Sequence, residues 1–433
     1  MARQLIANGY SKVYALKGGW REWVRADYPY EEKPSEQPAV VQGCIDCHEK
    51  VTPAVVEDWQ RSKHSTNMVS CLLCHGLEHS SEKDVEKAAP VRPELCVMCH
   101  EAQGRQFSSG KHALAWQAAS ALPGAHWQSM ARLEGPQGCT RCHRIGFKAP
   151  EEIRKLRREG LKSGIASCDG CHGRHAFSVA EARRPEACRA CHSGPDQPLW
   201  EIYASSKHGI RRSLEEQKEP AEARQAPTCQ TCHMQGGDHE VRAPWGFFGV
   251  RLPLPEDPQE STVRMTILQA LGMIGLDGRP TERHALLKDL DMARVTEESW
   301  QKAREKTARS CRDCHPAELV ARTLEQGDAI LREADLLLSQ AIRIVADLYA
   351  DRVFSAPAHP KAPYPDLLSA LRERTEVEER LYAMFSHHRT RAFQGAFHGS
   401  PEHAYSGLDA MRRELAEMRS EAERLRSSAK KGR

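Results

Sequence analysis

Aromatic side chains are scarce in this chain, only 6% of 433 residues, and the mean hydropathy of −0.63 comes with 28% charged residues. A chain long enough for roughly two or three domains should bury more apolar side-chain volume than this composition supplies. Something other than side chains is therefore expected to fill the interior. No apolar run is long enough to cross a bilayer, and residues 1–30 lack the apolar stretch of a signal peptide. The formal charge of +3 is too small to argue for a nucleic-acid partner.

Cysteine, by contrast, is abundant and regular. The sixteen cysteines form eight pairs, Cys44/Cys47, Cys71/Cys74, Cys96/Cys99, Cys139/Cys142, Cys168/Cys171, Cys188/Cys191, Cys229/Cys232 and Cys311/Cys314. Each pair is followed at once by a histidine: His48, His75, His100, His143, His172, His192, His233 and His315. Two thiols at this spacing can add to the two vinyl groups of one haem and hold the adjoining imidazole under its iron. Four zinc ribbons would use the same C-x-x-C knuckles, but they have no need of a histidine after every second cysteine. Three-residue loops also make poor disulfide staples. Eight c-type haems are thus the expected cofactors, and they would supply the missing apolar core. Haem of this type is attached outside the cytoplasm, so a periplasmic or extracytoplasmic location is expected. The chain as given is then expected to start downstream of its natural N-terminus.

Organisation along the chain follows composition. Residues 1–30 read as a helix, a short strand, the Lys17-Gly18-Gly19 turn and a helix carrying Trp20 and Trp23. Residues 31–38 form a charged, proline-containing linker, and residues 39–315 hold all eight motifs. Helices are expected at Glu151–Gly160, Thr262–Ile274 and Glu297–Arg309. Residues 316–433 change character, with long helices over 316–350, 366–388 and 403–427. The last carries a heptad seam, Met411, Leu415, Met418, Ala422 and Leu425, suited to an intramolecular bundle or to an oligomer contact. The expected fold class is mainly α, a multihaem cytochrome c core organised by eight haems with a C-terminal bundle of long helices.

Thirteen histidines remain after the eight proximal ones, enough to give every iron a second imidazole. Counting alone therefore leaves both a pure electron wire and an open iron possible. The expected distal ligands are His64 and His208 in Ser-Lys-His contexts, His112 after Gly-Lys, His79 and His175 close behind proximal histidines, His239 in a Gly-Gly-Asp-His turn, and His388 and His398 in the C-terminal third.

From about residue 43 onward the chain resembles the octahaem hydroxylamine oxidoreductase family, whose branches include nitrite and hydroxylamine reductases. The likeness lies in Cys71–His79, Cys168–Ser178, Cys188–Asp196 with Glu201–Gly209, Cys229–His239 with Trp245-Gly246-Phe247, and Phe393–Pro401. It implies seven six-coordinate electron-carrying haems and a five-coordinate catalytic haem at the fourth motif, so that His143 would be the proximal ligand of the reacting iron. The family's Asp-His pair after the sixth motif corresponds to Asp196 and Gln197, and Gln197 cannot titrate. Asp196 could equally be a helix N-cap.

The resemblance further implies a small redox substrate, an electron-transfer protein or quinol-linked cytochrome as partner, and a homotrimer. In the oxidising branch a tyrosine of a neighbouring subunit is bonded to the catalytic haem; His403 takes its place here, with Tyr405 two residues on. The expected function is reduction of nitrite or hydroxylamine towards ammonia. A non-catalytic conduit, hydroxylamine oxidation and sulfur-oxyanion reduction are the alternatives. The last is motivated by residues 1–30, which resemble the C-terminal end of a rhodanese domain without its catalytic cysteine.

Overall fold

The computed structural model describes residues 39–122, 136–161, 164–194, 197–215, 226–354, 364–368 and 375–431, with a few residues between 23 and 28. The expected helix–strand–helix of residues 1–30 lies outside these, apart from Trp23 packed on Tyr28. The chain divides into two compact units, Met1–Pro53 and Ala54–Arg433.

In the first unit helix α1 (Ala39–Val51) carries the first motif, and His48 Nδ1 is hydrogen-bonded to Thr52 Oγ1 at 2.7 Å. The second unit starts as short helices and turns around the remaining motifs. Among them are α2 (Ala115–Ala121), α3 (Pro136–His143), α4 (Pro150–Arg158) and α5 (Leu199–Ser205). Proline at the first turn and Glu152 reaching back to the Ala149 amide start α4, and Ile153 and Leu156 bury its apolar face. Among the described residues the only β features are two isolated bridges. The fold class is mainly α, as the composition and periodicity suggest.

Longer helices follow: α6 (Pro258–Ala270), α7 (Glu297–Arg312), the 34-residue α8 (Ala317–Ala350), α9 (Glu376–Ala383), α10 (Thr390–Phe397) and the 31-residue α11 (Pro401–Lys431). A π-helical turn, Met384–Arg389, joins α9 to α10. One apolar core runs from Phe248–Ala293 through Ala334–Tyr349 to Met411–Ala422, so packing crosses the compositional boundary at residue 315. Met411, Leu415, Met418 and Ala422 are buried in this core, and Leu425 packs against it. The heptad seam is thus satisfied within the chain.

Arg389 pins the bundle to the motif-bearing part. It is fully buried, and its guanidinium donates to Asp335 Oδ1 at 2.7 Å and to the carbonyls of Phe248 and Gly249 at 2.5 and 3.0 Å. Where α10 crosses α11, a Cβ on Gly395 would lie 2.6 Å from the Ala404 amide nitrogen and one on Gly407 2.7 Å from that of Ala392. Only glycine permits this approach, and it brings His398, at the end of α10, under the motif-bearing region.

Candidate haem-binding site

None of the sixteen cysteines is joined to another in a disulfide. The one-turn helices Cys71–His75, Asp169–His172 (with Cys168 as its N-cap) and Cys229–His233, and the end of α3, hold the two thiols of a motif three positions apart, about one helical turn, with the histidine directly after the second. Among the described residues no three His, Cys, Asp or Glu side chains converge as a zinc site would require. Histidines converge in pairs instead.

The expected attachment cysteines are not equally enclosed by the protein. Cys47, Cys99, Cys232 and Cys314 are exposed, while the other twelve are half-buried. Each of the four is the second cysteine of its motif. Cys99 and Cys314 lie just past the ends of their helices, which stop at Val97 and at Arg312. Cys47 stands within α1 on a face that the chain leaves to solvent. A free thiol is normally among the most buried side chains, so an enclosing pocket is the wrong expectation at these four positions. Their exposure fits thiols that bond to the edge of a macrocycle and take their cover from it.

Six proximal histidines each face a second imidazole across a nearly constant gap. The ring centroids are 6.2 Å apart for His100 and His64, 6.2 Å for His75 and His175, and 6.2 Å for His172 and His239. They are 6.1 Å apart for His192 and His112, 6.1 Å for His233 and His398, and 6.0 Å for His315 and His208. A metal–imidazole bond of about 2 Å on each side puts two nitrogens about 4 Å apart and the ring centres about 6 Å apart. The gap therefore fits one iron held between two histidines. Burial pulls the pKa values of His112, His192 and His233 down to about 4, which keeps these imidazoles neutral and able to ligate. Where Nδ1–H is engaged, as in His398 to the Gln394 carbonyl at 2.8 Å, Nε2 is left to face the gap.

The remaining expected site residues sit among other polar groups. His79 is hydrogen-bonded through Nδ1 to Asp84 Oδ1 at 3.0 Å. His388 stands in the π-helical turn, edge-on to His387 at 5.1 Å and 3.9 Å from Glu414. His143 donates from Nδ1 to the Ala115 carbonyl at 2.6 Å. Asp196 lies outside the described residues. Gln197 accepts from Gln394 Nε2 at 3.5 Å, while the buried Gln394 Oε1 has no hydrogen-bond partner among the described residues. His403 is hydrogen-bonded through Nδ1 to Ser400 at 2.9 Å and more weakly to Ser205 on α5 at 3.4 Å. No feature of the sequence marks the Ala115 carbonyl or Gln394 as neighbours of these histidines, because both act through the fold.

Neighbouring motifs come close through their cysteines. Cys142 Sγ lies 4.0 Å from the Cys191 carbonyl, Gln230 of the seventh motif reaches Cys188 Sγ at 3.8 Å, and Cys168 beside Cys96 pushes the Cys96 thiol up while its own is lowered. The Cys74 thiol is pushed up by burial and in part by Cys96, the Cys232 thiol by burial and in part by Cys311, and both thiols of the sixth motif feel Cys171. Motifs two, three, five, six, seven and eight therefore form an unbroken series, and the fourth branches from the sixth.

Two family models match parts of the chain, "Seven times multi-haem cytochrome CxxCH" over residues 161–243 and "Cytochrome c554 and c-prime" over residues 95–173. The backbone is similar to that of the reducing HAO-like protein complex of Kuenenia stuttgartiensis, with a TM-score of 0.65, 23% identity, and 93% of this chain and 89% of that chain covered. The fold is that of a multihaem c-type cytochrome. A hypothetical multihaem protein shares it at a TM-score of 0.62 and 19% identity, covering 95% and 99% of the two chains. In sequence this cytochrome is 26% identical over 394 residues to a probable nitrite reductase–hydroxylamine oxidoreductase fusion protein of the same organism. The match covers 79% of this chain but 42% of that relative, so the cytochrome spans about two-fifths of the length of the curated protein. Binding of c-type haem and electron transfer follow from these likenesses together with the motifs.

Proposed function

We propose that the chain carries eight haems and reduces nitrite or hydroxylamine towards ammonia at the haem of the fourth motif, with electrons arriving along the other seven outside the cytoplasm. The observation that carries this reading is the approach of the fourth motif to the sixth, where Cys142 Sγ lies 4.0 Å from the Cys191 carbonyl. On this reading the histidine-paired sites would conduct and the fourth motif would hold a separate site one step away. The curated relative's name, with its nitrite reductase and hydroxylamine oxidoreductase parts, supports the substrate class.

An iron with one vacant axial position supplies a seat for the nitrogen of such substrates, and its neighbours supply electrons. His143 is held by the Ala115 carbonyl, which fixes its tautomer and leaves Nε2 for the metal. Gln197 and Gln394 offer amide donors beside the sixth motif, the place where the family keeps a titrating pair. Neither moves protons, so that task passes to Asp196 and to His403 with its serine partners. An electron-transfer protein or quinol-linked cytochrome would supply the reductant, and a homotrimer is the oligomer in keeping with the resemblance.

The six histidine pairs would serve a pure conduit equally well, and electron paramagnetic resonance separates the two readings. A high-spin ferric signal that nitrite or hydroxylamine perturbs, and that C139S/C142S removes together with turnover, is expected. An oxidised protein that is wholly low-spin, and stays so with either substrate, would make it a conduit.

A further inference from the structure

Lys148 is a buried charge with no ionic partner within salt-bridge distance among the described residues. It is 8% exposed, and its ammonium donates to the carbonyls of Arg144 and Gly146, in the turn that directly follows His143. The same ammonium lies 5.6 Å from the centre of the Trp116 ring. Trp116 is the neighbour of Ala115, whose carbonyl orients His143. The carboxylates that act on Lys148 are Glu152 and Asp169. Glu152 accepts from Trp116 Nε1 at 2.9 Å and from the Ala149 amide at 3.0 Å, and Asp169 accepts from the Gly164 amide at 3.0 Å. Among the described residues neither comes within salt-bridge distance of the ammonium. Burial lowers the lysine's pKa to about 8, which leaves it mostly charged near neutrality.

Enclosing an unpaired ammonium is unfavourable, and a neutral donor could hold the same two carbonyls. The charge therefore needs a reason beyond the turn. A positive charge behind a proximal histidine, screened little by water, stabilises an added electron on the metal that the histidine holds.

We propose that Lys148 is a positioning residue that sets the reduction potential of the fourth haem, drawing electrons from the sixth onto that branch. The charge effect requires only that His143 ligate a haem; its value for catalysis rests on the proposed function. The carbonyl contacts separate charge from scaffolding, since K148Q keeps two donors without the charge, K148M keeps neither and K148R keeps the charge.

The test is a potentiometric titration of the holoprotein followed by optical and paramagnetic resonance spectra. The fourth haem is assigned as the component that disappears in C139S/C142S. Its midpoint is expected to shift downward in both K148Q and K148M, with the other midpoints in place, and to stay near the wild-type value in K148R. An unchanged midpoint in the neutral variants, or an equal shift of all components, would overturn the proposal. So would failure of K148Q to fold with haem, because the residue would then be a structural clamp. A protein found wholly low-spin would remove the reaction proposed above and leave this midpoint result intact.

Discussion

His112 and His192 show how a ligand pair arises at the scale of single residues. His192 is fixed in sequence by its cysteines, whereas His112 reaches it from the turn between two helices, 6.1 Å away ring to ring. Burial keeps both neutral, so neither needs to lose a proton before it meets a metal. Replacing His112 by glycine removes one side of that clamp and leaves the thiol attachment untouched. H112G is expected to convert one low-spin haem to high spin in its paramagnetic resonance spectrum, and free imidazole is expected to reverse the change. An unaltered spectrum would show that another group holds that face. The proximal histidines are legible because the covalent chemistry fixes their spacing. Their partners are set by tertiary folding, so the shared Ser-Lys-His context suggests His64 and His208 as ligands without saying that they face His100 and His315. His388 packs against His387 and Glu414.

At the scale of elements, the α10–α11 crossing decides whether His398 reaches His233. The helical periodicity of both segments and the seam on α11 are legible because apolar spacing reports a buried face. What that face packs against is not, because the same pattern serves a partner helix of this chain or of another. The crossing distance depends on Gly395 and Gly407, two residues with no side chain to mark them. Adding one methyl at Gly395 presses it against the Ala404 amide and the His403 Cβ, mostly backbone that cannot yield. Overpacking of this kind costs about 1–3 kcal/mol. G395A is therefore expected to unfold at a lower temperature than the parent in calorimetry and to weaken the ligation of the seventh haem, seen as a partial loss of low-spin signal. A surface change on the same helical layer, such as D409A, should do neither. Arg389 acts over a longer range, since its buried guanidinium holds Asp335 on α8 and the Phe248–Gly249 backbone together. Nothing in the sequence separates it from the many surface arginines around it.

For the whole molecule the open question is the direction of electron flow, and the segment around Tyr405 bears on it. A bond from a tyrosine to the catalytic haem goes with hydroxylamine oxidation in the family this chain resembles, and that resemblance implies His403 at the tyrosine's position. Residues 401–431 form one helix, so Tyr405 stands about 200° around the axis from His403. His403 is turned towards Ser400 and Ser205 of its own chain, while Tyr405 is 55% exposed. The side chain best placed by register is thus a histidine engaged within the subunit, and the tyrosine is carried to another face. Gln197 adds to this, because an amide cannot take up the protons that leave hydroxylamine as it is oxidised. Reduction needs protons delivered instead, and a histidine in a serine chain reaching α5 suits delivery. The expected outcome is faster reduction of nitrite or hydroxylamine with a low-potential donor than oxidation of hydroxylamine with an acceptor. Peptide mapping should return the Tyr405 peptide at its unmodified mass, and H403A should slow reduction more at high pH, where protons are scarce, than at low pH. A Tyr405 peptide bonded to the haem of Cys139 and Cys142, with oxidation the faster reaction, would reverse the assigned direction.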